Sequence, residues 1–487
     1  GVHARTEDDE AVARIKGLPA WAKIVKEAVR ALAKLPEGDQ VLRVWNREVT
    51  LSRSDVETAR RRAKRSGRAH NVARESFARE LMDVLALRLA REAGDGDSEG
   101  GVDPEVKRSW LIEIRDSADC RRAINTAWMP TSAGTLLRRL YARPEVLAVA
   151  NRKAGSPLRP DELAALVRPR SAPWTVSDVP ILDECEELLG PMPTASTTSR
   201  GTDDGAVARA REAIEAQNLG GGIVTAQMLA DQVTGQDSWT PLSERAAKDR
   251  TWAYGHIVVD EAQELSPMAW RALLRRCPSR SFTVVGDLDQ RRGNKRPPTW
   301  EKALGPAARA LAAEYALTVS YRTPATLTTL AEGVVARAGV PVLYPMTAVR
   351  DVEDCYRVTH VDAPEEAPAS SRENSPLWCA VARAQREAEE RLDREAGTSR
   401  GRIALIVGHD RARAWGADID GDTALSERVS LLSAVASKGL EFDTVVLVEP
   451  AEIISDGVGD LFVALTRATH DVHVVHCGPL PAGMEEW

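Results

Sequence analysis

Several features that would narrow the function quickly are missing from this chain. No uncharged apolar run approaches the ~18 residues that a membrane span requires, so no membrane-spanning segment is expected. The opening residues, GVHARTEDDE, have neither a basic n-region nor an apolar h-region, and a secretory signal is not indicated. The chain begins at Gly1 rather than Met, which reads as a fragment, a cleaved product or a missing start. The six cysteines (Cys120, Cys185, Cys277, Cys355, Cys379, Cys477) stand singly, with no C-x-x-C and no Cys/His cluster. That pattern argues against zinc and against a disulfide framework, and it fits a reducing, cytoplasmic setting. Strong basicity is absent as well. With a net charge of −7 the chain does not look like a protein that simply coats nucleic acid, and any nucleic-acid contact must use a local patch. Finally, no G-x-x-x-x-G-K-[ST] loop occurs. GGGIVT (220–225) and GNKRPP (293–298) lack its glycine spacing and its Lys before Ser or Thr. Without backbone amides and a lysine to cradle the β- and γ-phosphates, tight nucleotide binding by these residues alone is not expected.

What is present belongs to an ordinary globular protein, since 43% apolar and 28% charged residues allow packed cores with solvated surfaces. At 487 residues there is room for three domains of ~150 residues each. Residues 1–94 read as helical, with Phe77, Leu81, Val84, Leu85 and Leu89 at helical spacing in the polar stretch from Asp55 to Ala93. The same stretch holds a basic cluster, Arg60, Arg61, Arg62, Lys64, Arg65 and Arg68. It is either the solvated face of a long helix or a face for an anionic partner. After the break AGDGDSEGG (93–101), residues 104–170 look helical again, punctuated by prolines. WTVSDVPILDECEELLG (174–190) follows, with Asp178 suited to cap a short helix. A polar stretch then runs from 191 to about 250, longer than a compact domain normally leaves irregular without a use for it. Beyond Tyr254 the texture changes. HIVVDE, SFTVVGD, YALTVSYR, YRVTHVD, RIALIVGHD, TVVLVE and VHVVH alternate with helical segments, which predicts a buried parallel sheet and an α/β fold.

The chemistry-bearing residues fall in that second half. IVVDEAQELS (257–266) is an apolar strand ending in two carboxylates, at the sheet edge where α/β proteins bind ligands. In a nucleotide hydrolase the first, Asp260, would hold Mg²⁺ and the second, Glu261, would polarise the attacking water. FTVVGDLDQ (282–290) ends a second strand on Gln290, which can orient a water against a γ-phosphate. VSYRTP (319–324) brings Tyr321 and Arg322, SKGLEFDTVVLVE (437–449) sets Glu441 after a Lys-Gly turn at Gly439, and LFVALTRAT (461–469) carries Arg467.

Taken together, DEAQ, GDxxQ, YRTP, KGLEFD and VALTRA have the order and spacing of motifs II to VI of superfamily 1 helicases of the UvrD/Rep type, over about residues 254–477. The resemblance implies an ATP- and Mg²⁺-dependent ATPase. Asp260 would hold the metal, Glu261 would act as base and Gln290 would sense the γ-phosphate. Tyr321 would stack on adenine, Gly439 and Glu441 would contact the nucleotide, and Arg322 and Arg467 would stabilise the transferring phosphoryl group. Three departures cut against processive unwinding. RRGNKRPPTW (291–300) replaces the aromatic run that stacks on bases, Val435 stands where such enzymes place a His, and the span from Arg322 to Ser437 is too short for a large inserted domain.

DEAQELSPMAWRALLRRCPSRSFTVVGDLDQ, WTVSDVPILDE, GLEFDTVVLVEPAEI and LFVALTRAT resemble more specifically the HelD family of RNA polymerase-associated ATPases. That resemblance implies an α/β fold of two RecA-like P-loop-type domains, the first incomplete and enlarged by a mainly helical insertion. Residues 1–173 would be the insertion, and 174–313 the rest of the first domain with a polar loop at about 191–250. Residues 314–487 would be the second domain. It also implies RNA polymerase as partner, with DNA or RNA displaced from it, and a P-loop half lying before Gly1. Asp203, Asp204, Asp231 and Asp237 would let the polar loop meet the polymerase channel, unless that loop is merely solvated. A DNA helicase or translocase and a non-catalytic binding fragment remain as alternatives. Trp174, Trp239, Trp252, Trp270 and Trp300 are packed residues or partner anchors, and His256 is read as structural.

Overall fold

The computed structural model describes residues 4, 6–95, 102–192, 246, 249, 251–292, 296–364, 367–368, 370–372, 375–395, 397–417 and 427–484. Asp203, Asp204, Asp231, Asp237 and Trp239 lie outside them. The chain divides into two compact units, Gly1–Tyr254 with Arg271–Pro278, and Gly255–Trp270 with Ser279–Trp487.

The first unit is helical: α1 Glu10–Lys16, α2 Trp21–Arg30, α3 Arg53–Arg65, α4 His70–Ala93, α5 Pro104–Asp116, α6 Ala118–Ala127, α7 Ala133–Ala142, α8 Pro144–Lys153, α9 Pro160–Ala165 and α10 Val179–Leu189. Spacing of four brings Phe77, Leu81, Leu85 and Leu89 to one face of α4, and all four are fully buried. Each such side chain contributes roughly 1.5–3 kcal/mol by leaving water. Ser52 starts α3 with a capping box, its hydroxyl accepting from the Asp55 amide while the Asp55 carboxylate accepts from the Ser52 amide.

An all-helical reading of residues 1–94 fails at one place. Strands β1 Gln40–Val44 and β2 Arg47–Leu51 form an antiparallel hairpin. Leu42, Val44, Val49 and Leu51 alternate with polar residues, a period of two that suits a strand, and they pack on Phe77 and Leu81 of α4. The two-residue loop holds Trp45 at φ 52, a conformation usually supplied by Asn or Gly.

Asp178 proves to be more than a cap. It is fully buried and accepts bonds from the Thr175 amide at 2.9 Å and the Tyr141 hydroxyl at 2.9 Å, and it pairs with Lys16 Nζ at 2.9 Å. Burial alone would push its carboxyl up. The Thr175 and Lys16 contacts outweigh that and hold it below the usual range. Nearby, α10 offers Glu184 to Arg271 at 2.7 Å and to Arg275 at 2.6 Å.

In the second unit, β7 Tyr356–His360, β8 Ile403–Val407, β9 Val429–Ser433, β10 Phe442–Val448 and β11 Ala468–His476 form one five-stranded sheet in the order β7-β11-β10-β8-β9, every pairing parallel. Helices cover both faces. Ala325–Arg337 and Val458–Thr466 bring Leu327, Leu330, Val334 and Leu461 to one face, and Pro376–Glu395 brings Leu377 and Val381 to the other beside Trp415. The chain is therefore α/β with parallel sheets, as the strand texture predicts. β3 Ile257–Val259 pairs in parallel with β4 Phe282–Val284 as a separate two-stranded sheet, and β5 Val319–Ser320 pairs with β6 Thr347–Ala348. The expected strand YALTVSYR shrinks to that two-residue pairing, and Tyr315 and Leu317 stand exposed. Among the described residues no helix is long and apolar enough to cross a membrane.

Candidate functional site

The site is built at the carboxyl ends of β3 and β4, within the second unit. β3 stops at Val259, and Asp260 follows with an exposed side chain whose Oδ1 accepts the Glu261 amide at 2.8 Å. Glu261 itself takes φ 49, ψ 37, the left-handed region that a non-glycine residue seldom adopts. The backbone around it is fixed by β4: Val285 donates to the Val259 carbonyl at 2.8 Å, and the Ala262 amide donates to the Val285 carbonyl at 3.0 Å.

Gln263 links the two strand ends. It is fully buried, its Nε2 donates to Glu261 Oε2 at 2.5 Å, and its Oε1 accepts the Asp287 amide at 3.1 Å. Gly286 makes that approach possible. A Cβ there would lie 2.3 Å from Gln263 Oε1 and 3.0 Å from the Ala262 nitrogen, so any side chain would push the two loops apart. His256 braces the same strands from the other end, its ring nitrogens lying 2.8 Å from Ser281 Oγ and 3.0 Å from Thr283 Oγ1.

From Asp287 the network continues to the opposite side of the site. Its carboxylate accepts Gln290 Nε2 at 2.9 Å, and Gln290 Oε1 accepts Arg467 Nη2 at 3.2 Å. Burial pushes the Asp287 carboxyl up from its ordinary value, against the pull of Gln290 and of the Arg467 and Arg296 charges. Arg467 is itself buried at the end of helix Val458–Thr466, donating to the Val463 carbonyl at 3.3 Å and the Leu440 carbonyl at 3.4 Å. Burial and then the nearby Arg322 charge lower its guanidinium pKa, while Glu261 and Asp287 raise it. A guanidinium remains charged through such shifts.

Of the residues singled out in the sequence, Glu261, Gln290 and Arg467 thus share one hydrogen-bonded chain, with Asp260 adjoining its first member. Arg322 and Glu441 form an ion pair with each other, both substantially exposed at 62% and 48%. Tyr321 is 73% exposed. Gly439 sits at φ 73, in the turn that the KGLE sequence requires, and a Cβ there would meet nothing within 4 Å, so the constraint is the backbone angle alone.

Four further residues belong to the site and were given no role by sequence reasoning. Gln263 and Asp287 lie inside the quoted motifs. Lys438 Nζ pairs with Glu264 Oε1 at 2.7 Å and lies 3.8 Å from Asp460 Oδ1. Asp460 is buried, and burial pushes its carboxyl up to about 6 despite Lys438 and Arg292. An acid at the start of the otherwise apolar VGDLFVALT was the available signal for it. Gly459 beside it has backbone for a neighbour, since a Cβ would fall 2.2 Å from the Arg291 carbonyl oxygen.

Among the described residues no group of three or more His, Cys, Asp or Glu side chains is clustered as a metal cage. Mg²⁺ does not need one, because it takes one or two carboxylates and completes its shell with water and phosphate. Asp260 and Glu261 are carboxylates that would fit such a donor set, and Arg322 and Arg467 carry the fixed positive charge that phosphate oxygens would meet. A Gly-rich cradle for the β-phosphate is not among the residues of this sequence.

No protein-family model matches the chain, and no curated protein matches it. Among solved structures it is similar to the helicase nonstructural protein 10 of an arterivirus, at 17% identity and TM-score 0.26, over 48% of this chain and 41% of that one. A structure of the same viral helicase with DNA gives 17% identity and TM-score 0.25, over 46% and 40% of the two chains. The C-terminal domain of a possible DNA helicase from Lactobacillus plantarum WCFS1 gives 18% identity and TM-score 0.22, over 34% of this chain and 92% of that domain. The chain thus spans less than half the length of the viral helicase it matches. Likenesses of this size leave the functional case to the residues themselves.

Proposed function

We propose that this chain is the catalytic-base and arginine-bearing part of an ATP-hydrolysing, helicase-like motor that acts on nucleic acid. The observation that carries the reading is the continuous chain Glu261–Gln263–Asp287–Gln290–Arg467, which joins a strand-end carboxylate to a buried arginine just over two hundred residues away in sequence. A bound Mg²⁺-nucleotide supplies the phosphoanhydride and the metal charge that ease its cleavage. The chain's own part is narrower. Glu261 accepts a proton from the attacking water, with Gln263 holding one carboxylate oxygen so that the other faces outward. Gln290 orients the water or a phosphate oxygen. Arg467, fixed by three acceptors, presents positive charge without having to reorganise. Asp260 is the metal ligand, and Arg322, Tyr321, Gly439 and Glu441 form the nucleotide side of the cleft, the Arg322–Glu441 pair opening when phosphate arrives.

At the finer level we read the motor as a HelD-like one that binds RNA polymerase and clears DNA or RNA from it in a cytoplasmic setting. The HelD-like runs in the sequence and the missing base-stacking aromatics favour this over a UvrD/Rep-type DNA translocase. The base assignment is checked on the full-length protein with Mg²⁺ and ATP. Glu261→Gln should lower kcat by roughly 10²–10⁴-fold while ATP binding persists. Unchanged turnover would remove Glu261 from its role, and no turnover in the wild type would leave a binding module. The partner is checked by co-purification: RNA polymerase retained without DNA supports the HelD-like reading, whereas turnover that depends on single-stranded DNA supports the translocase.

A further inference from the structure

The basic cluster noted in the sequence is not used by the site just described, since it lies in the first unit. Helix α3 buries Val56, Ala59 and Ala63 and turns its other sides outward. Arg61, Lys64, Arg65 and the following Arg68 are exposed and Arg60 is half-exposed. Ion pairs account for only part of this charge. Arg62 is held by Glu80 at 2.7 Å, whereas among the described residues Arg60, Lys64, Arg65 and Arg68 make no ion pair. The positive face extends onto a second helix. Lys23, Lys26 and Arg30 of α2 are all exposed, and Arg30, though paired with Glu27 at 2.6 Å, is close enough to repel the Lys64 charge, as Arg60 does. Three basic residues in the last turn suit the negative end of the α3 dipole, but Arg60, Arg61 and the α2 residues lie beyond its reach. In a chain of net charge −7, so much unneutralised positive charge on one surface carries a repulsive cost with no folding return.

We infer that the outer faces of α2 and α3 form a binding surface for the phosphate backbone of nucleic acid, read without regard to base sequence. Three features favour a nucleic-acid backbone over other polyanions. The cations on α3 are mostly arginine, whose planar fork matches phosphate oxygens. Its apolar residues are all turned into the core, so no side chain is left to enter a lipid acyl layer, as membrane-surface helices require. And α3, at 13 residues, is ~20 Å long, which spans about six phosphates of one strand. The face carries no aromatic side chain for base stacking, so contact is with the backbone and salt-dependent. The surface needs no nucleotide, and it stands or falls apart from the motor reading.

The test uses the full chain without nucleotide, titrated into a fluorescently labelled 20-base-pair duplex DNA or a 20-nucleotide RNA, with anisotropy read across a salt series. The triple variant Arg60→Ala, Lys64→Ala, Arg65→Ala should bind roughly tenfold or more weakly at 100 mM salt. Its slope of log affinity against log salt should fall by roughly 3 on duplex DNA and roughly 2 on the single strand, and the oligonucleotide bound more tightly by the wild type at equal salt is the form preferred. A control triple on the second unit, Arg383→Ala, Arg386→Ala, Arg394→Ala, should bind as the wild type does. All six side chains are at least partly exposed, so circular dichroism should show both variants folded. The proposal is overturned by a wild type that binds neither nucleic acid, by an unchanged salt slope in the first triple, or by capture on phosphatidylserine vesicles without binding to either oligonucleotide.

Discussion

Two glutamates of this chain follow apolar parallel strands, take nearly the same left-handed backbone angles and have opposite surroundings. Glu261 follows β3 at φ 49, and Glu449 follows β10 at φ 46. Glu449 is buried, and its carboxylate accepts the Cys477 amide at 2.6 Å and the Gly478 amide at 3.2 Å, so it closes the end of β11 and has no capacity left for a ligand. Glu261 is half-exposed, with one oxygen held by a side-chain amide. The strands differ in the same sense. Every residue of β10 from Thr444 to Val448 is buried, whereas Val258 in the middle of β3 is 67% exposed and Val285, just past β4, is 50% exposed. A carboxylate at a strand end is therefore not a site in itself. It becomes one where the sheet around it is thin and the backbone leaves its oxygens unspent.

The largest expected effect belongs to the covered sheet. Leu447→Ala removes a fully buried side chain from the centre of β10 and should cost about 2–5 kcal/mol of stability in urea unfolding followed by circular dichroism. A loss under 1 kcal/mol would mean that the five-stranded sheet is not the core of its unit.

The glutamate pair gives the next largest effect. Glu449→Ala leaves two backbone amides without their acceptor and should cost about 1–3 kcal/mol, with faster hydrogen exchange at Cys477 and Gly478. Glu261→Ala should cost less, about 1 kcal/mol at most, because it removes one hydrogen bond at a half-exposed carboxylate and leaves the backbone conformation as it is. Equal costs would erase the distinction between a structural carboxylate and an available one.

The same contrast explains what the sequence discloses. β8, β10 and β11 are legible because strands buried on both faces must be largely apolar, and IALIV, VVLV and VHVV, with His473 as the one polar residue, are. The β1–β2 hairpin hides, because it is buried on one face only and carries Arg43, Glu48 and Thr50 on the other, with no Asn-Gly turn to announce it. YALTVSYR errs the other way. Its residues favour strand, but β propensity expresses packing against neighbours, and Tyr315 and Leu317 have none around them. At the site, Asp260, Glu261, Gln290, Arg322 and Arg467 stand out by motif order, while Gln263 does not. Nothing local in DEAQ shows that its amide will be buried between two loops, because that follows from Gly286, more than twenty residues on. Lys438 and Asp460 are hidden for the same reason, since their relation is made by the fold and not by spacing.

The smallest expected effect is the most informative about β3. Val258→Lys puts a charge in the middle of an apolar strand, and by sequence pattern alone it should be ruinous, as a lysine inside β10 would be. With the valine 67% exposed, the lysine ammonium stays in water and the change should move stability by no more than about 0.5 kcal/mol. The loop network from Glu261 to Arg467 should keep its hydrogen-exchange protection, since none of its bonds uses the outer face of β3. A cost of 2 kcal/mol or more would show that this face is covered in solution. The thin sheet would then be no thinner than its neighbour, and the openness of Glu261 would need an explanation other than the exposure of its strand.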